Sequence, residues 1–393
     1  MKQTVVTQQE QRRPRAAHSQ ALDLLRFPLA IVVLTVHTFH NPTVFVYGKE
    51  YTFAGRPLFD AFYNFVYSFL SDYSLMIYFF ISGYVFFLGI TDFTADVYKR
   101  KLRNRVKTLL IPFIVWNVAC VLVELSYYFP PLSAMRPGLD FAKVDLSPVA
   151  VLQTFWNSIH GIFGNVYEYA AADYVGIYPP QNNSLWFLRA LMAMALLTPV
   201  LWCTIKRVGI CLTCAAYALW AWAYLYGTGY VLEFATALFP FSFGAYMSIS
   251  GRNMINVFGR YFKLSAVAYV LLSGVQMAAL YADTQLAYKV AKVLACPVAL
   301  VLAYNLSAWL LRRNYCRVVP LLASASFFIY VSHELILGNV KKVLVALIRP
   351  CNGVAGAATY ILAIAVVAFG LLGVFWLMQR YTPRLLKFVA GRK

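Results

Sequence analysis

Apolar residues run through this 393-residue chain in long blocks, and polar residues gather in short clusters between them. Ten blocks are long enough to cross a hydrocarbon layer of about 30 Å as helices. They cover 22–40, 75–92, 108–128, 184–204, 208–226, 229–249, 264–282, 289–309, 319–338 and 355–379. The segment 59–74 has a different pattern: Phe59, Phe62, Val66 and Phe69 share one helical stripe, and Asp60, Asn64, Ser68 and Asp72 another. Such a helix is expected to lie in the outer membrane interface, with an extra partial span as the alternative. The pattern loosens over 129–183, bracketed by Phe129-Pro130-Pro131 and Tyr178-Pro179-Pro180, and reads as an outer loop segment able to cover a cavity mouth. The predicted architecture is an all-α polytopic membrane protein. A basic tail occupies 1–21, about ten transmembrane helices fill 22–379, and a second basic tail occupies 380–393.

Composition agrees, with 61% hydrophobic and 12% charged residues and a mean hydropathy of +0.64, values that exclude an ordinary soluble domain. The net charge of +19 raises the question of nucleic acid, and the placement of the charges answers it. With the N-terminus inside, nearly every dense Lys/Arg cluster falls on one side, from Arg12/Arg13/Arg15 through Lys99–Lys107 to Arg380–Lys393. The positive-inside rule then puts both termini in the cytoplasm, and the expected surroundings are membrane lipids rather than nucleic acid. Lys341, Lys342 and Arg349 are the exception, falling on the outer side. Most of the seven cysteines sit in apolar runs, including the Cys211/Cys214 pair, where small packing residues are expected rather than metal ligands. No metal site is expected. The N-terminal stretch has no cleavage site after an apolar core, so no removable signal peptide is read there.

The first block carries the clearest chemistry. His37 lies eleven positions after Arg26, about three helical turns and a rise of about 16 Å, so both lie on one stripe. A histidine at that depth either serves proton transfer in a polar interior or bonds to a neighbouring helix. Asp23, three residues before Arg26, either orients it or makes an ordinary helix-end ion pair. Arg189 lies inside a span beside Trp186, and burial of a guanidinium in hydrocarbon makes it a functional candidate. Ala190 follows it, so its counter-charge must come from elsewhere: Glu168, Asp173 or a developing oxyanion. His333-Glu334 either lines an acceptor path or bonds between helices. Ser82-Gly83 is expected to allow close helix packing. His40 and His160 are expected near the surface, and His18 in solvent.

Several ordered motifs resemble one family. Arg26, ten residues and His37 stand in the first span, and Tyr78-Phe79-Phe80-Ile81-Ser82-Gly83-Tyr84 in the second. A basic run, Lys99-Arg100-Lys101-Leu102-Arg103-Asn104-Arg105, leads to Ile111-Pro112-Phe113; Leu185-Trp186-Phe187-Leu188-Arg189 and Ser326-Phe327-Phe328-Ile329-Tyr330-Val331-Ser332-His333 follow. Together they resemble the membrane-bound acyltransferase-3 family, bacterial multi-span enzymes that O-acylate cell-surface glycans. The resemblance implies ten core helices, acetyl-CoA or another acyl-CoA as donor, and transfer to a hydroxyl of a cell-surface or lipid-linked glycan. It implies a catalytic set of His37, as general base, Arg26 and Asp23. Donor contacts are implied for Arg26, for Arg100 and Arg103, which have the family's spacing, and for Arg105, which alignment back from Pro112 favours. Trp186, Arg189, Tyr330 and His333 are expected to meet the acceptor. The expected location is the bacterial cytoplasmic membrane.

Two other classes compete. A transporter or flippase for a sugar, lipid or small molecule would also have ten spans and a few buried ionisable groups, without the ordered motifs. A non-catalytic scaffold would leave Arg26, His37 and Arg189 without a purpose. Association with further copies is open, because a helix face that packs within one chain reads like one that packs on another.

Overall fold

The structure is a computed structural model and describes residues 2–71, 73–136, 138–167, 178–227 and 229–391. Helix α1 spans Lys2–His40, and a hairpin of β1 (Thr43–Val46) and β2 (Lys49–Thr52) follows it. Next come α2 (Pro57–Phe69), α3 (Tyr73–Phe87) and α4 (Ala95–Arg105), which passes through a π-helical turn at Val106–Leu110 into α5 (Ile111–Ser126). Short helices α6 (Pro148–Trp156) and α7 (Gly164–Tyr167) lie in the long connection before α8 (Trp186–Val208), α9 (Ile210–Tyr226) and α10 (Gly229–Ile249). The rest is α11 (Met254–Gly259), α12 (Phe262–Tyr281), α13 (Gln285–Arg312), α14 (Pro320–Ile348), α15 (Gly353–Tyr381) and α16 (Pro383–Val389).

This is an all-α polytopic membrane protein with one short hairpin added. Among the described residues, eight helical stretches are long and apolar enough to cross a membrane. Each of the ten expected spans forms a helix; α9, with 17 residues, is the short apolar one. Local chemistry marks several ends: Asn352 caps α15 by accepting from the Ala355 amide, and Gly209 and Gly227, both at positive φ, separate α9 from its neighbours. Pro320 opens α14, where a missing N–H costs nothing.

Three segments differ from the sequence-based expectation. Residues 2–21 belong to the same helix as the first span. The amphipathic segment 59–74 becomes α2 and the start of α3, with a break after Phe69. Its apolar stripe divides: Phe59 and Val66 are buried, whereas Phe62 is exposed, and Asp72 lies outside the described residues. Finally, the last helices are longer than read: α14 continues to Ile348 and so carries Lys341 and Lys342 within a helix.

Packing is closest where α3 meets α10. A Cβ on Gly83 would overlap the Phe241 carbonyl, and one on Gly244 would overlap that of Phe80. The two backbones touch at glycines in both directions, as expected for Ser82-Gly83. Helices α1, α14 and α15 pack against one another, and the contact of α14 with α1 brings the His37 end of α1 against His333 and Glu334.

Candidate functional site

The α1 side of the site begins at Arg26. Its guanidinium is 3.2 Å from Asp23 Oδ1, and its carbonyl accepts a 2.5 Å hydrogen bond from the Tyr78 hydroxyl of α3. Arg26 lines a cavity of about 610 Å³ together with Asp23, Tyr78, Ser82, Arg105 and Tyr330. Arg105 reaches it from the end of α4, with its guanidinium 5.4 Å from the Phe86 ring centre. Arg100 and Arg103 point away: both are exposed on α4 and neither lines the cavity. Ala390 and Gly391, just beyond α16, form part of its wall. The segment expected to be a basic tail therefore folds back onto the bundle.

Tyr330 forms the far side of this cavity and donates its buried hydroxyl to the Ser184 carbonyl. One turn further along α14, His333 packs 6.3 Å from it, ring centre to ring centre, and 5.1 Å from His37 in an edge-on contact. Aromatic rings thus connect the cavity to His37, which is not itself in the cavity lining. His37 sits one turn from the end of α1, closer to the helix end than depth in the apolar block suggests. Its Nδ1 lies 3.2 Å from Glu334 Oε2. With Nδ1–H directed at that carboxylate, Nε2 keeps the lone pair a base requires. Of the two sequence readings, the structure places His37 and His333-Glu334 in one constellation. Glu334 was legible only as a neighbour of His333; nothing in the sequence ties it to a residue almost three hundred positions earlier.

Lys341 supports this arrangement. It is buried, and its ammonium donates to the Thr38 and Asn41 carbonyls at 2.9 and 3.0 Å and lies 4.2 Å from the Tyr360 ring centre. The last carbonyls of α1 have no helical partner, so this cation satisfies the end of the helix that carries His37. His40 is exposed, with Nδ1 2.9 Å from the Tyr67 hydroxyl, and His160 is exposed too, both as expected. The side chain of His18 lies outside the described residues.

Trp186 and Arg189 belong elsewhere. They line a second cavity of about 400 Å³ with Trp220, Tyr224 and Glu233. Arg189, only 5% exposed, lies 2.5 Å from Glu233 Oε1 of α10 and donates to the carbonyls of Tyr178, at 3.0 Å, and Trp156. Its counter-charge is therefore Glu233, a residue the sequence reading did not weigh; Glu168 and Asp173 lie outside the described residues. Phe79 and Phe187, 4.4 Å apart, stand beside Trp186, and Phe187 also lines the first cavity. The four residues expected to meet the acceptor thus divide into two pairs: Tyr330 and His333 beside His37, Trp186 and Arg189 behind an aromatic wall.

A family profile described as an acyltransferase domain matches residues 19–380. A curated relative, the succinoglycan biosynthesis protein ExoH of Rhizobium meliloti (strain 1021), is 25% identical over 257 residues. The alignment covers 64% of this chain and 62% of that relative. No solved structure matches. The profile takes in Arg26, His37, Arg105, Arg189, His333 and Glu334 within one continuous match, and the chain belongs to the acyltransferase-3 family of membrane proteins.

Proposed function

We propose that this chain transfers a short acyl group, with acetyl as the default, from acyl-CoA to a hydroxyl of a cell-surface or lipid-linked glycan. The observation that carries the reading is the His37–Glu334 pair, joined through Tyr330 and His333 to a cavity that holds Arg26 and Arg105. Guanidinium groups suit the phosphates of a CoA donor. The rise of about 16 Å from Arg26 to His37 matches the reach of a pantetheine arm in order of magnitude. The name of the succinoglycan relative supports a polysaccharide acceptor.

In this reading Glu334 holds the His37 imidazole with Nδ1–H toward itself. Nε2 removes the proton of the acceptor hydroxyl as its oxygen attacks the thioester carbonyl. The C–S bond breaks, and the same proton passes from His37 to the CoA sulfur, which leaves as the thiol. The donor side faces the cytoplasm of a bacterial cell, with both termini there, in keeping with the positive clusters of the sequence.

The test is free-CoA release from acetyl-CoA by detergent-purified protein. His37→Ala is expected to lower turnover by about a hundredfold or more with donor binding retained. Arg26→Ala is expected to raise the donor KM. Unchanged turnover in His37→Ala would remove the base, and failure of wild type to bind any short acyl-CoA would remove the donor.

A further inference from the structure

His333 has its proton fixed by its own helix. Its Nδ1 lies 2.7 Å from the Tyr330 carbonyl and 3.2 Å from that of Ile329; carbonyls only accept, so Nδ1 carries the hydrogen and Nε2 the lone pair. The side chain is 1% exposed, and Nε2 has no hydrogen-bond partner among the described residues. It faces Glu334 Oε2 at 3.7 Å, another acceptor. Two buried acceptors turned toward each other favour a cation between them. Glu334 Oε2 is also 3.2 Å from His37 Nδ1, and one donor atom from each of the three residues falls within 4.8 Å of the others.

We propose that His37, His333 and Glu334 form a binding site for a divalent transition-metal ion of the zinc class, and that the bound ion blocks the base. Ligands around tetrahedral zinc, with bonds of about 2.0–2.1 Å, stand roughly 3.3–3.4 Å apart. The distances of 3.2 and 3.7 Å fall on either side of that value. Two imidazoles and one carboxylate are a set zinc accepts, whereas calcium and magnesium favour oxygen throughout. The Tyr330 carbonyl on the far nitrogen of His333 is the outer-shell bond that orients a metal-bound histidine. His37 and Glu334 are 22% and 27% exposed, so an ion can arrive and a water can complete the shell. An imidazole with a metal on Nδ1 keeps its hydrogen on Nε2 and cannot accept a second one. Occupancy therefore removes His37 from acyl transfer without changing the fold.

Zinc binding is measured on the detergent-purified full chain after chelation and re-equilibration, by elemental analysis and by titration against a zinc-binding dye. One zinc per chain is expected for wild type, with affinity reduced at least about tenfold in His333→Ala and in Glu334→Gln. His40→Ala, a nearby histidine outside the cluster, is expected to bind as wild type does. Glu334→Gln preserves shape, so it answers if His333→Ala fails to elute as a folded monodisperse protein. No zinc retained by wild type, or equal affinity in all variants, overturns the site. Added zinc should lower CoA release and chelator restore it; turnover that rises with zinc overturns the blocking role. Binding is scored without turnover, so the metal site and the transferase reading fail separately.

Discussion

Glu334 and Lys341 stand seven residues apart on α14, two turns along one face, and both reach α1. Glu334 meets the imidazole of His37 while Lys341 satisfies the carbonyls just beyond it. Glu334→Gln keeps the volume and removes the charge that orients Nδ1–H. Its expected effect is a fall in kcat of about a hundredfold with the donor KM little changed, read from CoA-release kinetics. Lys341→Met leaves the buried Thr38 carbonyl without its side-chain donor, whereas the Asn41 carbonyl keeps the Tyr360 hydroxyl at 2.8 Å; the expected loss is about 1–3 kcal/mol, read as a lower melting temperature. Lys292 repeats the device on α13, its ammonium 3.0 and 2.9 Å from the Tyr67 and Ser71 carbonyls. As sequence, Lys341 is an exception to the positive-inside pattern; as structure, it is a helix cap, and charge counting cannot tell a cap from a topology signal. Arg189 teaches a similar lesson. Its need for a counter-charge is legible from its place in a span, but Glu233 lies 44 residues on, in another helix, and only packing joins them.

The helices were largely legible because membrane-length apolar runs are strong signals, and the glycine contact between α3 and α10 follows from Ser82-Gly83. The β1–β2 hairpin was not. Its alternation, with Val44 and Val46 buried and Phe45 and Tyr47 exposed, and its Tyr47-Gly48 turn at positive φ span too few residues to stand out beside such runs. Helix α16 was also hidden, because a basic terminal sequence reads as solvated. Yet Leu386 is buried, Trp116 donates to the Val389 carbonyl at 2.8 Å, and Gly391, at φ +57°, lies so near Thr108 that a Cβ would stand 2.6 Å from its carbonyl oxygen. Across from it, the π-helical turn at Val106–Leu110 places Thr108 and Leu109 on the same cavity wall. Deleting 383–393 opens that wall. On the donor reading, the KM for acetyl-CoA is expected to rise about tenfold or more while kcat falls less; an equal loss in both at a reduced melting temperature would mean that α16 only supports the bundle.

Across the whole molecule, Arg26 and Arg189 mark two cavities separated by the Phe79–Phe187 contact, and the two arginines are held in opposite ways. Arg26 is 38% exposed in its side chain and ends beside a single carboxylate, so it remains available to an incoming anion. Arg189 is enclosed, its guanidinium shared among Glu233 and two carbonyls and 5.3 Å from the Trp156 ring centre. It ties the long connection before α8 to α10, which is itself locked onto α3 by glycine packing. Removing a buried cation from its carboxylate costs about 3–5 kcal/mol, more than the loss of an exposed ion pair. Arg189→Met is therefore expected to lower the melting temperature sharply, and Arg189→Met with Glu233→Gln to recover part of it, because the second change removes the stranded charge. Arg26→Ala should leave the melting temperature nearly unchanged and weaken acetyl-CoA binding. Thermal unfolding and acetyl-CoA titration of the same four proteins, wild type included, separate the roles. An Arg189→Met protein that melts like wild type would show that the guanidinium is held for a ligand of the second cavity rather than for the bundle.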